Sequence, residues 1–115
     1  MERVCFQLQV KPERLDEYRA RHEAVWPSML AAIEASGRSN YSLFLREDGL
    51  LIGYYETDDD QASQRALEKD ARTTAWEREM AGFFVALDGR ADQDALRLTE
   101  VFHLEDQLAR LADER

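Results

Sequence analysis

The feature that most restricts the fold is a helical pattern with a proline inside it. Leu15, Tyr18, His22, Val25, Met29 and Ile33 recur at three- and four-residue spacing. At about 3.6 residues per turn, that spacing returns to one side of a helix and makes a narrow stripe for a core. Pro12 suits the first turn of such a helix and Gly37 its end, so one helix is expected over about 13–36. Pro27 lacks an amide hydrogen, and its ring crowds the preceding turn. The helix must therefore kink or break near residues 23–26. Tyr18, His22 and Trp26 stand four apart just before that point and form an aromatic ridge. A histidine in such a stripe is either a core residue with a satisfied hydrogen bond or a proton-transfer group. The stripe alone does not decide between them.

Residues 3–10 alternate, with Val4, Phe6, Leu8 and Val10 on one face and Cys5, Gln7 and Gln9 on the other. This is a half-buried strand. A second strand is expected over 40–46, with Tyr41, Leu43 and Leu45 sharing a face. Glu47-Asp48-Gly49 turns into a third over 50–56, so the two form a hairpin. Thr57 and Asp58 to Asp60 offer an N-cap and negative charge where a helix start favours both, and they read as a helix start rather than a metal site. A helix follows to about Arg72. Thr73-Thr74 caps a further piece over 75–87 that carries Trp76, Met80, Phe83 and Phe84. Asp88-Gly89 turns the chain, 90–97 reads as a loop, and 98–104 reads as the last strand. Residues 105–115 form a tail with Leu108 and Leu111 in helical register with Leu104.

The order strand, helix, strand, strand, helix, strand, joined by right-handed crossovers, gives an α+β ferredoxin-like βαββαβ fold. Its four-stranded antiparallel sheet carries both helices on one face. One domain over 1–104 and a helical tail over 105–115 are expected. The open face of the sheet carries large side chains, which favours a homodimer closed sheet to sheet, a dimeric α/β barrel.

Composition excludes several classes. The formal charge of -9 argues against nucleic acid and anionic membrane, which need clustered Lys and Arg. The apolar runs are far shorter than the roughly 20 residues of a membrane span, and no signal-peptide pattern opens the chain. Cys5 is the single cysteine and reads as a buried thiol in a cytoplasmic protein. No phosphate-binding glycine loop and no nucleophile with an adjacent base is visible. His103 is separated from His22 by most of the chain, so no metal site is expected. There remains a histidine among Tyr18, Tyr41, Trp26 and Trp76. Such a set suits either an aromatic core or a pocket for a neutral sugar, whose C–H patches stack on rings and whose hydroxyls meet phenols and indoles.

Phe6-Gln7-Leu8-Gln9-Val10 with Pro12, Tyr18, Arg21-His22, Trp26-Pro27, Asn40-Tyr41-Ser42, Trp76 and Val101-Phe102-His103-Leu104 together resemble the L-rhamnose mutarotase family over about residues 3–104. The resemblance implies a ferredoxin-like dimer that uses no cofactor and interconverts the anomers of L-rhamnopyranose or a related 6-deoxy sugar. It implies that His22 is the proton donor to the ring oxygen and that Tyr18, Tyr41 and Trp76 contact the sugar. Two departures stand out. Glu77 occupies the place of the family's second tryptophan, and Asp88-Gly89-Arg90-Ala91-Asp92 replaces a loop rich in Asn, Pro and Ser. Glu77 is therefore expected to contact the substrate and to tune sugar preference more than proton transfer. The partner base is open, with water or a tyrosine able to serve. The competing reading is a ferredoxin-fold dimer that only binds a small molecule, or a cofactor-free monooxygenase.

Overall fold

The computed structural model describes residues 1–85 and 89–114. Strand β1 spans Glu2–Gln9, β2 Ser39–Leu45, β3 Leu50–Thr57 and β4 Leu96–Leu98. They form one sheet in the order β2-β3-β1-β4, and all three neighbouring pairs are antiparallel. This is the expected ferredoxin-like arrangement. Helices α1 (Leu15–Glu23), α2 (Pro27–Ala35), α3 (Asp60–Lys69) and α4 (Ala71–Ala81) make the two crossovers. A short helix α5 (Ala91–Asp94) precedes β4, and α6 (Leu104–Asp113) follows it.

Pro27 divides the first helical segment as its chemistry requires. Helix α1 stops at Glu23, Trp26 is extended at φ -53° and ψ 133°, and Pro27 opens α2. The residue before a proline is driven out of the helical region, and proline's missing N–H costs nothing at a helix start. The chain turns there, so His22 sits at the end of one helix rather than in the middle of a long one.

The helices cover one face of the sheet. Val10, Tyr18, Met29, Leu51, Trp76 and Met80 belong to one buried cluster, Val4, Phe6 and Tyr55 to another, and Leu8 packs against both. Two glycines allow close approaches. Gly49 has φ 96° in the β2–β3 turn, a conformation that side chains resist. Gly53 lies opposite Phe6, and any side chain on it would enter the Phe6 ring. Without that gap the Phe6 ring could not sit against Gly53, where it lines the cavity described below.

The other face is open. Phe44, Ile52, Gln7 and Leu96 form one row across the four strands, and Ser42, Tyr54, Cys5 and Leu98 form the next. Phe44 and Leu96 are each 64% exposed.

Several boundaries differ from the sequence expectation. The last strand is Leu96–Leu98, not 98–104. Strand β1 begins at Glu2 and Leu98 already pairs with Cys5, so few rungs remain for a longer β4. Instead Glu100 turns to Arg3 and accepts two hydrogen bonds of 2.9 Å. His103 therefore lies at the N-cap of α6 rather than in a strand, and Val101 is 92% exposed. The second crossover breaks at Asp70, whose side chain accepts from the Arg72 amide and caps α4. Thr73 is buried instead of capping, and donates to the carbonyls of Leu67 and Asp70. Helix α4 ends at Ala81. The end of the expected helix at 86–87 and Asp88 of the expected turn lie outside the described residues. Part of the expected loop over 90–97 is helix α5. The tail is helical as expected over Leu104–Asp113, and none of its described residues is buried.

Candidate active site

A cavity of about 690 Å³ opens between α1, α2, α4, α5 and the covered face of the sheet. That volume is in the usual range for small-molecule sites. The five residues expected to act on or contact the substrate, Tyr18, His22, Tyr41, Trp76 and Glu77, line it.

Helix α1 supplies Tyr18 and His22. Their rings stack with centroids 4.2 Å apart and planes 27° apart. The Nδ1 of His22 lies 3.0 Å from the Tyr18 carbonyl. A carbonyl oxygen only accepts, so the proton sits on Nδ1 and Nε2 is the nitrogen left for a ligand. Burial lowers the His22 pKa from its ordinary value, and the bond to the carbonyl opposes this more weakly. The resting imidazole at neutral pH is uncharged.

Trp76 comes from α4 and meets the His22 ring edge-on at 5.5 Å. Trp26 packs against Trp76 at 5.1 Å and 79° and supports it from the side. Trp26, the third member of the expected ridge, lies beyond the end of α1 and holds the wall without lining the cavity. Tyr18 is braced in turn by Phe83 and Phe84, each 5.8 Å away.

Tyr41 projects from β2. Its ring stacks on Tyr55 at 5.2 Å and meets Phe6 edge-on at 6.2 Å. Burial raises its pKa to about 12 and pushes the Tyr18 phenol up as well. Both are neutral hydroxyls at physiological pH, able to donate and accept.

Glu77 adjoins Trp76 on α4, yet both side chains are buried; Glu77 is 7% exposed. Neighbours on a helix are about 100° apart, so the two flank the cavity from one helix face rather than stacking. Among the described residues, its buried Oε2 has no hydrogen-bond partner.

Polar residues that the sequence reading missed complete the lining. Arg38 is buried, donates to Ser63 at 3.1 Å and to Gln64 at 2.7 Å, and lies 4.0 Å over the Tyr55 ring. Arg97 points to the covered face from β4 and bonds Asp60 at 3.1 Å, and the Tyr55 hydroxyl donates to Asp60. Asp92 of α5 is held by Arg90 at 2.7 Å. Arg97 had a signal in the sequence, a charge between Leu96 and Leu98 in a strand. Arg38, next to a glycine at a helix end, had none. His103 lies outside this cavity, near Asp106 at 3.3 Å. Among the described residues no cluster of three or more His, Cys, Asp or Glu is arranged to hold a metal, and no helix is long and apolar enough to cross a membrane.

Similarity to known proteins agrees with this geometry. The family model for L-rhamnose mutarotase matches residues 3–104, which takes in the whole cavity and leaves almost all of α6 outside. The L-rhamnose mutarotase of Oceanobacillus iheyensis is 32% identical over 110 residues, covering 91% of this chain and all of that one. That of Sinorhizobium fredii is 35% identical over 112 residues, covering 90% of this chain and 99% of its own. In fold, the crystal structure of the L-rhamnose mutarotase of Formosa agariphila superposes with a TM-score of 0.73 at 23% identity, over 90% of this chain and 99% of that one. With the sheet order, the cavity and this match along nearly the whole length, the chain belongs to the L-rhamnose mutarotase family.

Proposed function

We propose that this chain interconverts the α and β anomers of L-rhamnopyranose, or of a related 6-deoxy sugar, by acid–base catalysed ring opening and closure. The observation that carries the reading is His22. Its Nδ1 is committed to the Tyr18 carbonyl, which leaves Nε2 for a ligand in a cavity walled by aromatic rings and phenols. Mutarotation moves protons and no electrons, so an imidazole that changes charge near neutral pH suits it. The Trp76 face takes the C–H side of the ring and the C6 methyl, and the Tyr18 and Tyr41 hydroxyls bond sugar hydroxyls. No cofactor has a role in these steps.

The first proton transfer runs opposite to the expectation from the resemblance. A buried, neutral imidazole with its proton on Nδ1 accepts at Nε2. In this reading His22 takes the anomeric hydroxyl proton as the ring opens and returns it when the ring closes on the other aldehyde face. The proton for the ring oxygen comes from another group.

A homodimer closed over the open face is part of the same reading. It is supported by the apolar rows through Phe44–Ile52–Leu96 and Tyr54–Leu98. The free thiol Cys5 on that face suits a reducing cytoplasm. The test is NMR saturation transfer between anomers over a panel of aldoses. L-rhamnose or another 6-deoxy sugar should exchange fastest above the uncatalysed rate. Exchange of no aldose would overturn the reading.

A further inference from the structure

We propose that Glu77 is the second proton-transfer group of the site, protonating the ring oxygen while His22 accepts from the anomeric hydroxyl. This rests on the anomer-exchange reading above and names the group it left open.

The argument begins with a carboxyl that is costly to bury. Glu77 sits 93% buried in the wall of the cavity that also holds His22, and its Oε2 is closed off from solvent with no protein partner among the described residues. No ion pair to a cation neutralises it among the described residues, and Arg90 only partly offsets the rise in its pKa. Arg90 is committed to Asp92 through Nε at 3.0 Å and through a second nitrogen at 2.7 Å, and to Thr73 at 2.7 Å. An unpaired ionised carboxylate in such a place is strongly disfavoured, whereas a protonated one becomes an O–H donor. Glu77 lines the cavity, where a sugar ring oxygen would be a neutral acceptor for such a donor.

The groups facing Glu77 act in the same direction on balance. Burial raises its pKa most, and the Asp92 carboxylate of α5 adds to it. Arg90 and the backbone amides of Asp92 and Ala91 oppose them, and the result is about 7. Tyr18 and His22 of α1 and Tyr41 of β2 share the cavity as neutral groups; Glu34 of α2 also lines it, as do Arg38, bonded to Ser63 and Gln64, and Arg97, bonded to Asp60. Near neutral pH the site thus holds an uncharged base and a carboxyl that is partly an acid. Environments that push two pKa values apart in this way assign the acid and the base.

The step balances without any outside reagent. The Glu77 O–H proton passes to the ring oxygen as the C1–O5 bond breaks, and the anomeric O–H proton passes to Nε2 of His22 as C1=O forms. The open-chain aldehyde then lies between a carboxylate and an imidazolium. After rotation about C1–C2, the O5 hydroxyl adds to the other face and returns its proton to Glu77. The imidazolium proton goes to the new anomeric oxygen. The pair carries one exchangeable proton throughout and ends as it began.

The merely structural alternative is that Glu77 fixes α5 by accepting from the amides of residues 91 and 92. The test is the pH profile of L-rhamnose anomer exchange for wild type, Glu77→Gln and Glu77→Asp, with melting and sugar binding on the same samples. Wild type should be bell-shaped, with its maximum below about pH 7, because exchange needs neutral His22 and protonated Glu77. Glu77→Gln should fold and bind sugar, lose about 10²-fold in exchange, and keep only the limb that rises with His22 deprotonation. Glu77→Asp should restore a shifted descending limb. A Gln variant with the wild-type profile, or one that loses rate only in proportion to lost binding while keeping both limbs, would overturn the proposal. If the Gln variant does not fold, the Asp variant decides: a shifted descending limb supports the proposal, and an unshifted one overturns it. Wild-type protein that exchanges no aldose would refute the anomer reading itself, a separable result.

Discussion

Replacing Glu77 by glutamine removes a buried ionisable carboxyl while nearly keeping its shape, and the pH dependence of stability should report the difference. The ordinary glutamate value is near 4.5, and burial raises it in the fold to about 7. A raised carboxyl favours the folded state most at low pH, where it is protonated. That contribution is full below the unfolded value and is lost as pH rises through the folded one. At about 1.36 kcal/mol per pH unit, the difference between the two values amounts to about 3 kcal/mol, of which about 2.5 kcal/mol falls between about pH 5 and about pH 8.5. For a domain of this size about 1 kcal/mol moves the midpoint by about 4 °C. Thermal unfolding followed by circular dichroism should therefore show the variant gaining about 10 °C on wild type between those two pH values. Ionisations common to both proteins cancel in that comparison. A difference that stays within about 2 °C across the range would mean that Glu77 titrates as an ordinary surface carboxylate, and the reasoning from its burial would fail.

Trp76→Ala removes the ring that meets both His22 and Trp26. It should weaken L-rhamnose binding at least about tenfold by titration calorimetry, in keeping with about 1–3 kcal/mol for a lost aromatic contact. Sedimentation at micromolar concentration should give about twice the chain mass, and Phe44→Asp on the open face should shift it towards one. Exchange measured in EDTA should equal that in buffer, since proton transfer through His22 needs no metal; loss on chelation with recovery by one metal would contradict this.

The legible parts of the fold were those set by local chemistry. Pro27 dictated the break in the first crossover, and alternation in Val4, Phe6 and Leu8 named the covered face of β1. Gly49 marked a turn that requires positive φ. The ends of elements were not legible where a tertiary partner decides them. Leu98 to Leu104 has strand composition, yet a strand needs a neighbour, and Arg3 takes Glu100 where the ladder would continue. Asp70 outcompeted Thr73-Thr74 as a cap because Thr73 is needed inside, under Arg90. In the site, spacing placed Tyr18 and His22 together because four residues is one helical turn. That Trp76 and Glu77 both face the cavity was not readable, since adjacent helical residues diverge and only the packing of α4 against α2 and α5 turns the Glu77 edge inward. The inward-facing Arg38 and its bonds across to Ser63 and Gln64 are likewise contacts between distant segments, which no local pattern encodes.

The central claim is that His22 transfers a proton rather than filling the core. It is tested by measuring melting, L-rhamnose binding and anomer exchange on one sample of His22→Asn. The account predicts a folded protein that still binds the sugar through Tyr18, Tyr41 and Trp76 and exchanges anomers about 10² times more slowly or worse. A folded, binding variant with the wild-type exchange rate would contradict it.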